Sequence, residues 1–578
     1  MSDPEHTPTG QPPESTTRTL NLAEAIDYAA ALIRAGKLDG AERLCLDILK
    51  VKPDDFDAEC LLGMVKARRG DQSAALACFD RALRSNPQSY EALYNRAATL
   101  QALKRHEEAV DAYDQALSVK PDCSDSLKER GDVLQALNRY TEAIDSYDQA
   151  LLLKTDFWQA LNNRGNTLLK LKRYDEALAS YDRALVVEPN RPEMLNHRGA
   201  ALEALHRSGE ALESYDKALS LKPHYFEALS NRGASLQSLN RHAEAMESYD
   251  GALSLVPDYA EALWNKSLLL LLLGDFARGW PLYEWRWKRS DAPAELERAE
   301  PLWRSGEDIR GKRILLYAEQ GLGDAIQFSR YASAVSSEGA TVVLEVPQPL
   351  VRVLRNIQGA TDVIAMGEPS PRCDLRCPLM SLPLLFNTSF ATIPAATPYL
   401  RADQDLLAKW SAKLGPRTGL RVGLAWSGGA ALKNDRNRSI PLATLSPLFG
   451  LPIEWICLQK EIRAPDRREV ERRATLRAFA DELDDFSDTA ALIELCDLVI
   501  SVDTAVAHLA GALGKSLWLL LPFAPDWRWL LDREDSPWYP TAKLFRQTAI
   551  GDWTQPIERI YRELASLVDV SAIAQSRR

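Results

Sequence analysis

The chain has 578 residues, of which 46% are apolar and 26% charged, and a formal net charge of −11. This is the composition of an ordinary globular protein, and its acidic balance excludes a general nucleic-acid binder, which needs a basic face. Eight cysteines are spread singly except for Cys373 and Cys377, which no second ligand pair follows, so free thiols in a reducing compartment are expected rather than a zinc site.

Residues 1–20 begin "MSDPEHTPTGQPPESTTR", polar and rich in Pro and Thr, which predicts a disordered lead without a secretory signal. From Leu22 a fixed period sets in. Pro53, Pro87, Pro121, Pro189, Pro223 and Pro257 lie on a 34-residue grid, with Thr155 in the one missing slot. Further columns hold Ala75, Ala109, Ala143, Ala177, Ala211 and Ala245; Phe79, Tyr113, Tyr147, Tyr181, Tyr215 and Tyr249; and Gly63, Gly131, Gly165, Gly199 and Gly233. The grid resembles the tetratricopeptide repeat, two antiparallel helices per period. Small residues let the helices approach, the aromatic fills the gap they leave, and the proline ends the second helix. Seven full repeats run from Leu22 to about Tyr259. An eighth keeps Tyr283 but carries Gly279 and Arg286 in place of alanines, and the array closes near residue 290. The most apolar run, Leu268–Leu273, is too short to span a bilayer, and a cytoplasmic location is expected.

Such arrays bind through the face lined by their first helices. One column there reads Asn95, Glu129, Asn163, His197, Asn231 and Asn265. Carboxamides offer both donor and acceptor, so Asn95, Asn163, Asn231 and Asn265 are candidates to hold the backbone of a protein or peptide partner. The next column, Arg96 to Arg232, is expected to lie over the helix pair, and the acids after each aromatic, Asp80 to Asp250, to form an exposed face.

The period ends after Ser290. A connector over 291–311 leads to "RILLYAEQGLGDAIQFSRYA", read as strand, Gly-containing loop and helix, with further strands at Thr341–Val346, Asp362–Ala365 and Asp374–Pro378 in a first lobe, 312–400. A second connector, 401–420, contains "DQD" at Asp403–Asp405, which has the spacing of a metal–diphosphate motif but sits at a helix start. A second lobe, 421–568, holds strands in "RVGLAWSGG", "EWICLQ", "DLVISV" and "SLWLLLP", and a tail covers 569–578. Apolar strands alternating with helices imply buried parallel sheets, which bind ligands at the carboxyl ends of their strands.

That rule selects Gly321, Gly323 and Asp324 in the first lobe, and Ser427, Gly428, Gly429, Asp503 and Thr504 in the second. Paired glycines permit close approach of a ligand. Asp324 is either a helix cap or a base facing the cleft. Gly428, Lys433, Arg436 and Arg438 combine exposed N–H groups with basic charge suited to a diphosphate. Thr504 is read as the first residue of a helix whose N-terminus suits an anion, with His508 on the same face. Gln459 and Lys460 stand where they could touch a nucleobase. "GLGD" with Glu345 on the next strand is also part of a dinucleotide fingerprint, but Ile326 occupies the third glycine position.

"GLGD" and "SVDTAVAHLAGALG" resemble the family 9 glycosyltransferases, the heptosyltransferases, over about residues 312–565; the array joined to such a unit is similar to the O-GlcNAc transferases. The resemblance implies a tetratricopeptide superhelix followed by an α/β GT-B fold of two Rossmann-like lobes. It further implies metal-independent transfer of a sugar from a nucleotide diphosphate, without a cofactor, to a protein or saccharide held by the array. On it, Asp324 matches the catalytic base, Arg438 a phosphate-binding lysine, and Asp503 and Thr504 the residues that hold donor sugar and phosphate, while His508 matches the signature histidine. Gly323, Ser427, Gly428 and Lys433 complete the donor set. "DWRWLLDREDSPWYP", from Asp526, is not part of the heptosyltransferase pattern. The alternatives are a non-catalytic tetratricopeptide scaffold with a degenerate transferase unit and, below it, a dinucleotide-binding oxidoreductase.

Overall fold

The computed structural model describes residues 21–292, 298, 300–429 and 435–576. The chain divides into two compact units between Pro223 and His224.

In the first unit, helices of 13 and 14 residues alternate in six pairs, from Leu22–Arg34 with Leu38–Val51 to Pro192–Ala204 with Ser208–Leu221. First helices of successive repeats also touch one another. The glycine column explains the close pairing: a Cβ on Gly165 would stand 2.6 Å from the Tyr181 ring, and one on Gly131 the same distance from Tyr147. Between the helices of each pair the chain reverses through a left-handed residue. These form a column of their own, Gly36, Gly70, Lys104, Asn138, Lys172 and His206, with φ between 59° and 84°.

The arginine and aspartate columns are not independent faces. Arg96, Arg130, Arg164 and Arg198 each donate from Nε to an aspartate of the preceding repeat, Asp80, Asp114, Asp148 and Asp182, at 2.6–2.7 Å. Arg130, Arg164 and Arg198 also reach Ser146, Ser180 and Ser214 of their own repeat. The acids are exposed or half-exposed, as expected, and at the same time serve as rungs between repeats.

The second unit opens with two further helix pairs, Phe226–Ser238 with His242–Leu255 and Ala260–Leu272 with the eight-residue Phe276–Tyr283. Two parallel sheets follow. In the first, β1 (Arg313–Tyr317), β2 (Thr341–Val346), β3 (Ala360–Ala365) and β4 (Leu375–Pro378) take the order β3-β2-β1-β4. The second contains β5 (Arg421–Ala425), β6 (Glu454–Cys457), β7 (Leu476–Arg477), β8 (Leu498–Val502), β9 (Leu517–Leu521) and β10 (Ala542–Arg546), in the order β10-β9-β8-β5-β6-β7. The second half is therefore α/β, as its apolar strands require. Each sheet has one place where the strand order reverses, between β1 and β4 and between β5 and β8. "DQD" proves to be a cap: Asp403 Oδ1 accepts from the N–H groups of Asp405 and Leu406 at 3.0 and 3.1 Å.

One apolar cluster of this unit joins the last helix pair to the sheets, and a second lies under the other face of the second sheet. Leu271, Phe276, Trp280 and Tyr283 of the last helix pair pack in one cluster with strand and helix residues of the first sheet and with Trp527, Trp529 and Trp538.

Candidate functional site

The carboxyl ends of β1 and β8 face each other across a seam between the two sheets' lobes, where the helix Leu322–Phe328 packs on the helix Ala505–Ala512. Gly323 makes this contact possible: a Cβ there would stand 2.7 Å from His508 Cδ2. The close approach expected of this glycine is thus used by His508, not left to a ligand. His508 is 5% exposed, shares a 2.9 Å hydrogen bond through Nδ1 with the Tyr539 hydroxyl and stacks on Trp529 at 5.5 Å. Burial, with Arg528 and Arg330 nearby, holds its pKa well below the ordinary histidine value, so the ring is neutral.

Asp324 fills both of its expected roles in part. Its Oδ2 accepts from Gly321 N at 2.8 Å, capping the helix, while Oδ1 is gripped by Arg528. Arg528, 7% exposed, also donates to Gln327 Oε1 at 2.7 Å and to Asp526 Oδ1 at 2.8 Å. Burial raises the Asp324 carboxyl above its ordinary range against the pull of Arg528. Asp503, across the seam, is raised to about 6, first by burial and then by Asp526, with Arg438 opposing.

Thr504 is the N-cap of its helix rather than its first residue, and its Oγ1 lies 3.3 Å from Ser501 Oγ. Arg438 donates from Nη1 to the Asp503 carbonyl at 2.9 Å and lies over Gly428, where a Cβ would stand 2.8 Å from its Nη2. Gly428 N donates to Ser439 Oγ at 3.0 Å, and Arg463 donates to the Gly428 carbonyl at 2.8 Å. Nε of Arg438 and Nε of Arg463 are buried with no hydrogen-bond partner among the described residues. Lys433 lies outside the described residues.

Other expectations change. Gln459 is not available to a nucleobase. Its Oε1 accepts from Trp426 N and Ser427 N at 2.6 and 3.0 Å, and its Nε2 donates to Ser427 Oγ at 2.8 Å and Glu461 O at 3.1 Å. Lys460 donates to the Asp484 carbonyl. Glu345, the acid of the dinucleotide reading, is paired with Arg298 at 2.6 Å. A carboxylate held this way is a poor ribose ligand.

Two features were given no role by sequence reasoning. The first is Glu319, at the strand reversal of the first sheet. Its Oε1 accepts from Met380 N, after β4, and from Arg286 Nη2, both at 3.2 Å; its Oε2 is buried without a partner. Burial lifts its pKa to about 7, with Arg286 opposing and Asp324 adding to the rise. Its position two residues past β1 was the available signal. The second is the segment Asp526–Pro540, which fills the seam with Trp527, Trp529, Trp538 and Tyr539, all under 5% exposed.

On the array, the asparagine column is half-buried at Asn95, Asn163, Asn231 and Asn265. Asn163 is already engaged: Nδ2 donates to Asp132 Oδ1 at 2.7 Å and Oδ1 accepts from Asn162 at 3.0 Å. One further donor and one acceptor position remain on its amide.

The tetratricopeptide repeat family profile matches residues 60–126, 128–194, 162–226, 197–260 and 230–284. The helical half carries tetratricopeptide repeats. Protein FlbA of Caulobacter vibrioides is 30% identical over 323 residues, covering 50% of this chain and 53% of FlbA. The match thus spans about half the length of that relative. Among solved structures, YrrB, a tetratricopeptide protein with an unusual peptide-binding site, is 26% identical over 33% of this chain and 98% of its own, with a TM-score of 0.31. A tetratricopeptide repeat protein from Parabacteroides merdae is 19% identical over 43% of this chain and 98% of its own, with a TM-score of 0.33. Among the described residues no helix is long and apolar enough to cross a membrane.

Proposed function

We propose that the chain is a scaffold that recruits a protein or peptide on the first helices of its tetratricopeptide repeats. The observation that carries this reading is the division of labour within each repeat. The arginine and aspartate columns form rungs between repeats, whereas Asn163 of the asparagine column is half-buried and keeps one donor and one acceptor position on its amide. A main chain lying along that column would find donors and acceptors at the repeat spacing. Selection from a phage-displayed random peptide library, followed by fluorescence anisotropy of the enriched peptides, tests it. Micromolar binding that weakens several-fold in Asn95→Ala/Asn163→Ala is expected; absence of any enriched peptide overturns it.

A second reading, sugar transfer from a nucleotide diphosphate, is favoured by one arrangement. Asp324 and Asp503, from different lobes, share Arg528 and Asp526 as neighbours, beside two arginines whose Nε groups lack partners. Those arginines and the backbone at Gly428 would neutralise a leaving diphosphate, as the helix end at Thr504 would. Asp324 would take the acceptor proton once Arg528 releases it. Calorimetry with UDP-, GDP- and ADP-sugars against wild type and Arg438→Ala is the test: binding lost in the variant supports this reading, and no binding to any of the three removes it. Donor turnover abolished in folded Asp324→Asn would assign the base.

A further inference from the structure

The helix Ala505–Ala512 carries His508 and, three residues on, Gly511. A Cβ on Gly511 would collide with the Tyr539 ring, so the missing side chain is what seats that ring on this helix. Arg330 lies over the same ring at 4.7 Å. Tyr539 is fully buried, and its hydroxyl is thereby brought 2.9 Å from His508 Nδ1. The neighbouring Tyr399 hydroxyl is engaged elsewhere. It donates to the Ile326 carbonyl at 3.1 Å and accepts from Arg330 at 3.0 Å.

The other ring nitrogen faces a carboxylate. His508 Nε2 lies 3.8 Å from Asp503 Oδ1, and the Asp503 side chain is 13% exposed. Asp503 has few other partners. Arg438 bonds to its main-chain carbonyl, and the nearby Trp529 indole keeps its Nε1 buried with no hydrogen-bond partner. An imidazole with one proton must place it on one of its two nitrogens. On Nδ1 it would leave the Nε2 lone pair opposed to the carboxylate in a site largely closed to water. On Nε2 it turns an N–H toward the carboxylate and leaves Nδ1 to accept from Tyr539.

We propose that Tyr539 is a positioning residue of the seam: by donating to Nδ1 it fixes His508 as the Nε2–H tautomer, which faces the Asp503 carboxylate and holds it as an acceptor for the hydroxyls of a donor sugar. A carboxylate of this kind only accepts, so it suits the sugar's hydroxyls and not the diphosphate. The proposal rests on the transfer reading for what Asp503 then holds. Tyr539 belongs to the segment that lies outside the heptosyltransferase pattern, so this support is the chain's own.

Nitrogen NMR of the full chain with isotope-labelled histidine reads the tautomer at neutral pH, with the His508 signal assigned by replacing the other histidines with Gln one at a time. Circular dichroism confirms each fold. Wild type is expected to carry the proton on Nε2. Tyr539→Phe keeps the ring on Gly511 and removes only the hydroxyl, and is expected to populate the other tautomer; Tyr399→Phe is expected to leave the signal in place. A proton on Nδ1 in wild type, a tautomer unchanged in Tyr539→Phe, or an equal change in Tyr399→Phe overturns the proposal. Calorimetry with UDP-, GDP- and ADP-sugars and the matching nucleoside diphosphates reads the consequence. Tyr539→Phe should weaken the sugar nucleotide about fivefold, the worth of one hydrogen bond, and leave the bare diphosphate unchanged. Equal losses for both overturn the proposal as well. No binding of any of them to wild type removes the transfer reading and the sugar with it, while the tautomer still upholds or overturns the assignment of Tyr539.

Discussion

Two single residues carry strain or charge that the fold tolerates rather than needs. Lys172 reverses the chain between its repeat's helices at φ 59°, where Gly36 and Gly70 do the same work in the first two repeats. A side chain in the left-handed region costs roughly 1 kcal/mol that glycine avoids, less what glycine's freer unfolded chain takes back. Lys172→Gly is expected to stabilise by about 0.5 kcal/mol, read as a higher urea midpoint with unchanged slope. Glu319 is the larger effect. Its folded pKa of about 7 lies above the ordinary 4.5, so its neutral form is favoured in the folded state. Its contribution is fully present below pH 4.5 and is lost as pH rises through 7, a change on the order of 3 kcal/mol. Glu319→Gln keeps the acceptor facing Arg286 and never ionises. Its melting temperature should match wild type at pH 5 and exceed it by several degrees at pH 8; equal differences at both pH values would show that the carboxyl is not buried as described. The chain's own sequence hid this residue because one acid in "AEQGLGD" looks like a polar loop beside its glycines, and only the neighbouring strand end, Met380, reveals its enclosure.

Elements were legible where a period or an apolar run marked them. The helix pairs followed the 34-residue grid, and β2 occupies the predicted Thr341–Val346. The misses have physical reasons. β7 is two residues long, and β10, "AKLFR", alternates like an edge strand at the border of the sheet. The segment Asp526–Pro540 has no period, since it is shaped by the seam it fills. Arg330 shows how it is fixed there. Its guanidinium donates to the carbonyls of Gln327, Pro394 and Trp538 at 2.8–3.0 Å and to the Tyr399 hydroxyl at 3.0 Å, while lying 4.7 Å from the Tyr539 ring. It is 5% exposed, so removing it strands three buried acceptors. Arg330→Met should cost about 3–5 kcal/mol. Arg164→Ala, which breaks a rung to the half-exposed Asp148, should cost about 1 kcal/mol or less. Chemical denaturation of both variants compares a seam with a rung directly, and similar losses would mean that Arg330 does not hold the lobes together.

At the scale of the molecule, composition and repeat period suggest cutting the chain where the grid ends, near residue 290, yet the compact units meet at Pro223 and His224. The reason is chemical. The second helix of the eighth repeat carries Phe276, Trp280 and Tyr283, and these pack into the core of the sheets. Trp280 donates from Nε1 to the Thr388 carbonyl at 2.9 Å and meets Trp527 edge-on at 5.3 Å; Arg286 reaches Ser381 at 2.7 Å; Asn240, in the seventh repeat, donates to the Phe523 carbonyl at 2.9 Å. Phe276, Trp280 and Tyr283 are each 2% exposed or less. Three such side chains bury roughly 150–250 Å² apiece, so uncovering their partners forfeits on the order of 10 kcal/mol, comparable to the whole stability of a domain. A fragment beginning at residue 291 should therefore be insoluble or bind hydrophobic dye with no cooperative melt. One beginning at His224 should fold and melt cooperatively. Residues 22–223, whose repeats contact only their neighbours, should remain helical alone. Expression of the three fragments, followed by circular dichroism and calorimetry, decides the point: a folded, cooperative 291–578 would show that the last two repeats belong to the array and merely lean on the sheets.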